Sequence, residues 1–243
     1  MYEIAGRIRY SEVDDGGKLT LGALLDYFQD CSTFHGEDVG MGVAYMAGRQ
    51  QAWVLSAWQI VVERYPELGE RVQIKTAPYD FKGFFGYRNF LMVSDEGERM
   101  ACANTLWMLL DTQKVCPVRI PEEMVAAYVV EKPLPMDYAP RRIEIPPKEG
   151  RQLGSIEIKR HHLDMNHHVN NGQYIKIAME YLQGRSEIRQ MRAEYKKQAV
   201  LGNRIEVMQY EVTGGDVLVL QDRDGQAYCI VELIKMKTST SNN

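Results

Sequence analysis

The sequence has little of what staples or anchors a chain. Its four cysteines, at 31, 102, 116 and 229, lie far apart and form no C-x-x-C pair. That argues against a disulfide framework and against a cysteine zinc site, and reduced thiols in a cytoplasmic protein are the expectation. No apolar run approaches the roughly 18 residues of a membrane span. The opening M-Y-E-I-A-G-R-I-R-Y has charges where a signal peptide needs an apolar core, so neither export nor a membrane span is expected. Positive charge is not in excess: 29 Lys and Arg against 33 Asp and Glu leave a net charge of −4, and no field recruits nucleic acid. What is present is an ordinary globular balance, 45% hydrophobic and 26% charged, over 243 residues, enough for one large domain or two small ones.

Histidine is scarce too, yet unevenly placed. Four of the five histidines (161, 162, 167, 168) fall in R-H-H-L-D-M-N-H-H-V-N-N-G, residues 160–172, together with one Asp and three Asn.

The chain repeats itself around that stretch. V-D-D-G-G-K-L-T-L-G-A-L-L-D-Y (13–27) aligns with L-D-M-N-H-H-V-N-N-G-Q-Y-I-K-I (163–177) at an offset of 150, with Asp14 on Asp164 and Gly22 on Gly172. E-L-G-E-R-V-Q-I (67–74) aligns with V-L-G-N-R-I-E-V (200–207) at 133, and the D-E-G-E turn (95–98) roughly with D-R-D-G (222–225). Three matches in one order indicate two copies of one unit. In each copy a short strand (3–10 and 154–160) leads to a helix (about 20–34 and 170–183) with Leu21, Leu24, Leu25 and Phe28, or Tyr174, Ile177, Ala178 and Tyr181, at helical spacing. Strand-like runs follow at 53–62, 71–76, 86–93 and 100–110, and at 188–195, 204–212, 216–220 and 227–236. A helix apolar on most of its circumference wants a sheet wrapped around it. The fold class is therefore α+β, two tandem hotdog units.

The expected organisation is an N-terminal hotdog over 1–128, a Pro-rich linker over 129–150, and a C-terminal hotdog over 151–243. A short helix is expected around 121–130, and the polar end K-T-S-T-S-N-N is expected to fray. The offset falls from 150 to 133, so 17 residues within 36–52 are extra in the first copy; a lid, a substrate-lining segment and a plain surface insertion all suit them.

The duplication is an internal control. Where the second copy has Asn166 and His168, the first has Gly16 and Lys18; only the Asp is common to both. Groups absent from one copy point to function rather than folding, and to one active site per chain. If the loop is extended, Asp164, Asn166 and His168 alternate onto one side. A carboxylate can orient water, an amide can hold a water or a carbonyl, and an imidazole titrates near neutral pH. Asn170 or Asn171 would cap the helix, and backbone N–H groups around Gly172 would polarise a carbonyl oxygen. His161, His162 and His167 read as solvent-facing or structural. The run lacks H-x-x-x-H helix spacing and a nearby Cys, so no metal is assigned.

L-D-M-N-H-H-V-N-N-G-Q-Y (163–174) resembles the D-x-N-x-H-V-N-N-x-x-Y run of the acyl-ACP thioesterases, plant and bacterial enzymes that end fatty-acid synthesis by hydrolysing acyl-acyl carrier protein. L-L-D-Y-F-Q-D-C-S-T-F-H (24–35), W-V-L-S-A-W (53–58) and E-Y-K-K (194–197) support the resemblance in the right order. It implies a tandem hotdog without cofactor, with 1–128 as the substrate-tunnel half and 151–243 as the catalytic half, and with catalytic Asp164, Asn166 and His168. Asn171, Gly172 and Tyr174 would contact substrate, and acyl carrier protein would be the partner; a homodimer is compatible with it. One departure stands out. Plant members follow E-Y-R-R with a Glu-Cys pair, whereas Gln198 and Ala199 follow here. No Cys nucleophile and no carboxylate base exist at that place, so Asp164 must take the base role, directly or through His168, with Gln198 orienting water. Glu180 and Glu194 read as structural or paired. Lys159, Arg160, Arg189, Arg192, Lys196 and Lys197 are candidates for a basic rim facing an acidic carrier. An acyl-CoA thioesterase and a non-catalytic acyl-binding hotdog are the alternatives.

Overall fold

The computed structural model describes residues 1–182 and 187–236. The end of the second expected helix at 183 and the polar tail lie outside the described residues. The chain forms two compact units, Met1–Arg141 and Arg142–Asn243, dividing inside the proline-rich stretch.

Unit 1 begins with β1 (Tyr2–Arg7), a single 3-10 turn (Tyr10–Glu12) and the long helix α1 (Leu21–Asp38). The lead strand is shorter than expected because Arg9, extended, caps a 3-10 turn rather than continuing the ladder. Thr20 caps α1, its hydroxyl accepting from Ala23 N–H at 3.2 Å. Leu24, Leu25, Phe28 and Cys31 on α1 are fully buried, each large one contributing about 1.5–3 kcal/mol of burial free energy. Then come α2 (Val43–Gly48), β2 (Gln51–Val62), β3 (Arg71–Lys82), β4 (Phe85–Ser94), β5 (Arg99–Asp111), the two-residue β6 (Cys116–Pro117) and α3 (Glu122–Ala126), shorter than the 121–130 expected. The antiparallel order is β1-β3-β4-β5-β2, with β6 on β5. Phe28 packs against Trp58 and Phe90 on the helix side of the sheet. The extra segment buries Met46 against Leu109, Ile120 and Met124.

Unit 2 repeats the plan: β7 (Arg151–Glu157), a 3-10 turn (Arg160–His162), α4 (Asn171–Tyr181), β8 (Ile188–Tyr195), β9 (Arg204–Val212), β10 (Gly215–Gln221) and β11 (Ala227–Lys235). Its order is β7-β9-β10-β11-β8, the order of unit 1 strand for strand. Tyr174, Ile175 and Ala178 bury one side of α4. The agreement reaches individual bonds. Leu19 N–H donates to Pro66 O at 2.8 Å and Val169 N–H to Ala199 O at 2.9 Å; Thr20 N–H donates to Glu12 O and Asn170 N–H to His162 O, both at 2.9 Å.

The proline-rich stretch is extended, and it is fastened down. In unit 1, Gln59 Nε2 donates to Asp137 O at 2.7 Å and its Oε1 accepts from Ala139 N–H at 2.9 Å. Asn89 Oδ1 accepts from Leu134 N–H and from the Tyr138 hydroxyl. Because Trp58 and Phe90 face the helix, their neighbours Gln59 and Asn89 face the opposite side, so the strap crosses the outer face of the sheet. In unit 2, Ile143 buries against Val217, Val219 and Ile230.

Candidate active site

The histidine stretch folds as a tight loop rather than an extended segment. Asp164 N–H donates to His168 O at 2.8 Å, and Leu163 bridges Val169. Within it Asp164 Oδ1 accepts from Asn166 N–H at 2.8 Å and from His168 N–H at 3.2 Å. Alternation of side chains therefore does not hold here. The three residues share one turn, with one carboxylate oxygen of Asp164 committed to the backbone of the other two. The corresponding loop of unit 1 is built alike: Asp14 Oδ1 accepts from Gly16 N–H at 2.9 Å and Lys18 N–H at 3.0 Å. The Asp common to both copies holds the backbone of both loops. Asn166 and His168 are the elements that differ.

His167 adopts a left-handed backbone, φ +62°, where Gly17 has φ +78°. It is exposed and serves the turn. His162 is buried; Lys159 N–H donates to its Nδ1 at 3.0 Å, which places the proton of the neutral ring on Nε2. Glu12 accepts the equivalent bond from Arg9 N–H at 2.8 Å. Burial, then the neighbouring His161, lowers the His162 pKa. His161 is exposed and lies against the His162 ring at 4.0 Å. The fifth histidine, His35, belongs to unit 1.

His168 is half-buried and Asn166 exposed. His168 bridges Val200, as Lys18 bridges Glu67. The segment carrying Gln198 thus runs along the His168 strand, and Gln198 itself is exposed. Tyr174 is buried, and its hydroxyl accepts from Ala199 N–H at 2.9 Å, so it pins the Gln198 segment to α4. Burial raises its pKa above the ordinary tyrosine value.

At the helix start Asn170 is the cap: its Oδ1 accepts from Gly172 N–H at 2.8 Å. This corrects the expectation of free amides around Gly172, since the side chain of Asn170 already takes that donor. Asn171 N–H is the first-turn donor left for a carbonyl oxygen. Asn171 O accepts from the Tyr195 hydroxyl at 3.0 Å. Tyr195, a residue that sequence reasoning passed over, therefore fixes the helix start to the sheet. Its place in E-Y-K-K beside the loop run was the available signal.

The basic rim is mostly neutralised. Lys159 pairs with Glu157 at 2.8 Å, Arg192 with Glu232 at 2.9 Å, Lys197 with Asp222 at 3.0 Å, and Lys196 with Glu194. Arg160 and Arg189 are exposed and make no ion pair among the described residues. Glu194 is buried and also accepts from Ile143 N–H at 3.1 Å. No group of three His, Cys, Asp or Glu among the described residues is placed to hold a metal ion.

Two hotdog units of one topology, with polar chemistry added to one loop only, define a tandem hotdog protein. The chain belongs to the acyl-ACP thioesterase family: residues 1–128 match the acyl-ACP thioesterase N-terminal domain and residues 146–235 the C-terminal domain. It is similar to the chloroplastic palmitoyl-acyl carrier protein thioesterase of Arabidopsis thaliana, with 25% identity over 86% of this chain and 55% of that protein. It is likewise similar to the chloroplastic dodecanoyl-[acyl-carrier-protein] hydrolase of Cinnamomum camphora, 25% over 71% of this chain and 48% of that protein. The chain thus spans about half the length of the curated relatives it matches. In fold it is similar to an acyl-ACP thioesterase from Bacteroides thetaiotaomicron, with a TM-score of 0.88 at 22% identity, covering 96% of this chain and 97% of that one. The 12:0-ACP thioesterase of Umbellularia californica gives 0.82 at 19% identity, covering 97% and 96%. No helix among the described residues is long and apolar enough to cross a membrane.

Proposed function

We propose that this chain hydrolyses the thioester of fatty acyl-acyl carrier protein in the cytoplasm, releasing free fatty acid and so ending elongation. The observation that carries the reading is the pair of loops. Their backbones and their Asp bonds are alike, yet only the second bears Asn166 and His168. Family membership supplies the reaction class, and the palmitoyl and dodecanoyl chains in the relatives' names give the range of acyl lengths to try first.

In the proposed reaction the acyl carbonyl oxygen sits at the start of α4, where Asn171 N–H and the helix dipole favour the negative charge that develops. His168, assisted by Asp164 and Asn166 of the same loop, orients a water and takes its proton as the water oxygen attacks the carbonyl carbon. The oxyanion collapses, the C–S bond breaks, and the carrier thiolate leaves with a proton returned from the imidazole. Gln198 contributes through its amide on the neighbouring segment. Gly172 and Tyr174 act on substrate through the position they give the helix start, and no cofactor takes part. Arg160 and Arg189 are the cations left to meet an acidic carrier protein, and the assembly is a monomer or homodimer.

Steady-state hydrolysis of C8 to C18 acyl-ACP and acyl-CoA by the purified chain is the test. Turnover of acyl-ACP at a higher kcat/KM is expected. Preference for acyl-CoA moves the reading to that carrier, and no turnover of either ends it in favour of an acyl-binding role.

A further inference from the structure

Arg88 of β4 lies on the helix side of unit 1, beneath the last turns of α1, with no ion pair to a carboxylate among the described residues. Its Nη1 donates to His35 Nδ1 at 3.0 Å and to Thr76 Oγ1 at 3.2 Å, and its guanidinium lies 5.4 Å from the centre of the Tyr128 ring. His35 is sandwiched in turn: Tyr2 stacks on it at 4.8 Å and Tyr128 meets it edge-on at 5.0 Å. Arginine only donates, so His35 Nδ1 is the acceptor and its proton sits on Nε2. Every polar group at this place is then a donor or already used.

Both protons of Nη1 are taken. Nε and Nη2, the edge that pairs bidentately with a carboxylate, have no acceptor among the described residues. Nor is that edge sealed. The fully enclosed side-chain atoms without a partner among the described residues are Gln29 Oε1, Gln51 Oε1, Trp58 Nε1 and Asp216 Oδ2. Arg88 is not one of them and is only partly buried. A positive charge held by neutral groups, with a fork that is neither bonded nor fully sealed among the described residues, lacks one negative charge and two acceptor oxygens.

We propose that unit 1 carries a carboxylate-binding site, in which Arg88 Nε and Nη2 grip a monocarboxylate beside the contacting rings of Tyr128 and His35. The single guanidinium matches one negative charge, which favours a carboxylate over a phosphate dianion. The site lies in the unit that lacks the Asn and His of the catalytic loop, and it does not depend on the hydrolytic reading.

All three tryptophans, Trp53, Trp58 and Trp107, belong to unit 1, so fluorescence excited at 295 nm reports this unit alone. The full chain is titrated with acetate and octanoate and with their neutral amides. Carboxylates are expected to bind at least about tenfold more tightly than the matched amides, the size of a lost charge-assisted hydrogen bond. Arg88→Gln should remove that difference, and Arg88→Lys should restore part of it. Equal gains for acetate and octanoate would identify a free small anion; a gain that grows with chain length would identify a fatty-acid head. Amides that perturb the fluorescence as well as carboxylates, in the unaltered chain, overturn the proposal whether or not the Arg88 variants fold. So does a folded Arg88→Gln chain that keeps the preference.

Discussion

Asp14 and Asp164, 150 positions apart, accept the same pair of backbone N–H groups in their loops, those two and four residues ahead. One of the two sits beside the proposed chemistry and the other does not, so comparing them separates folding from catalysis. Asp14→Ala should cost about 1–2 kcal/mol of stability, from two lost bonds, with hydrolysis unchanged. Asp164→Ala should show the same thermal loss and also abolish turnover. Asp164→Asn keeps an oxygen for both N–H groups while removing the charge. Loss of kcat there with a wild-type melting temperature would assign the carboxylate to the chemistry. Retained kcat would leave it a loop residue only.

His168→Ala is expected to abolish hydrolysis with far-UV circular dichroism and melting temperature unchanged, whereas Lys18→His in unit 1 should leave both alone. Wild-type kcat in His168→Ala would remove the imidazole from the mechanism.

Gln198→Glu tests the departure from E-Y-R-R-Glu-Cys. The residue is exposed on the segment beside His168, so the added carboxylate alters the site and not the core. Increased kcat would mean the chain works without a helpful base. A fall would mean that the amide is tuned to its place.

The φ of +62° at His167 predicts a backbone preference. His167→Gly should leave stability within about 0.5 kcal/mol, and His167→Val should lose about 1–2 kcal/mol, because a β-branched residue fits the left-handed region poorly. Equal melting temperatures for the two variants would contradict it.

Stability should also depend on pH through His35. Burial, and then the Arg88 charge, lower its pKa to about 4, while an unfolded histidine titrates near 6.5. The unfolded chain takes up its proton first. The contribution is thus complete above about 6.5 and is lost as pH falls towards 4, at most on the order of 3 kcal/mol. His35→Gln should flatten denaturation midpoints across that window.

The fold was legible because it is written twice. The offsets of 150 and 133 recur as Lys18 bridging Glu67 and His168 bridging Val200, and the strand runs separate cleanly at turns such as Gly97 and Gly225, both left-handed. The loop was legible in its residues and not in its shape. Nothing in D-x-N-x-H distinguishes an alternating strand from a turn closed by its own Asp; the Gly17 counterpart of His167 was the sign that a left-handed residue was required. The Asn170 bond to Gly172 was hidden for a similar reason, since either Asn could cap. The ion pairs of Arg192 with Glu232 and Lys197 with Asp222 join strands and turns that only folding brings together.

The bonds of Gln59 and Asn89 to the strap set a limit on how the chain can be divided. Similarity to the N-terminal domain ends at residue 128, but the amides buried in β2 and β4 find their partners at Leu134, Asp137, Tyr138 and Ala139. A fragment cut at 128 would bare the outer face of its sheet and leave both amides to water. A cut that keeps the sheet of unit 1 covered therefore falls about ten residues later than the domain match ends, and the prolines between are part of its wall.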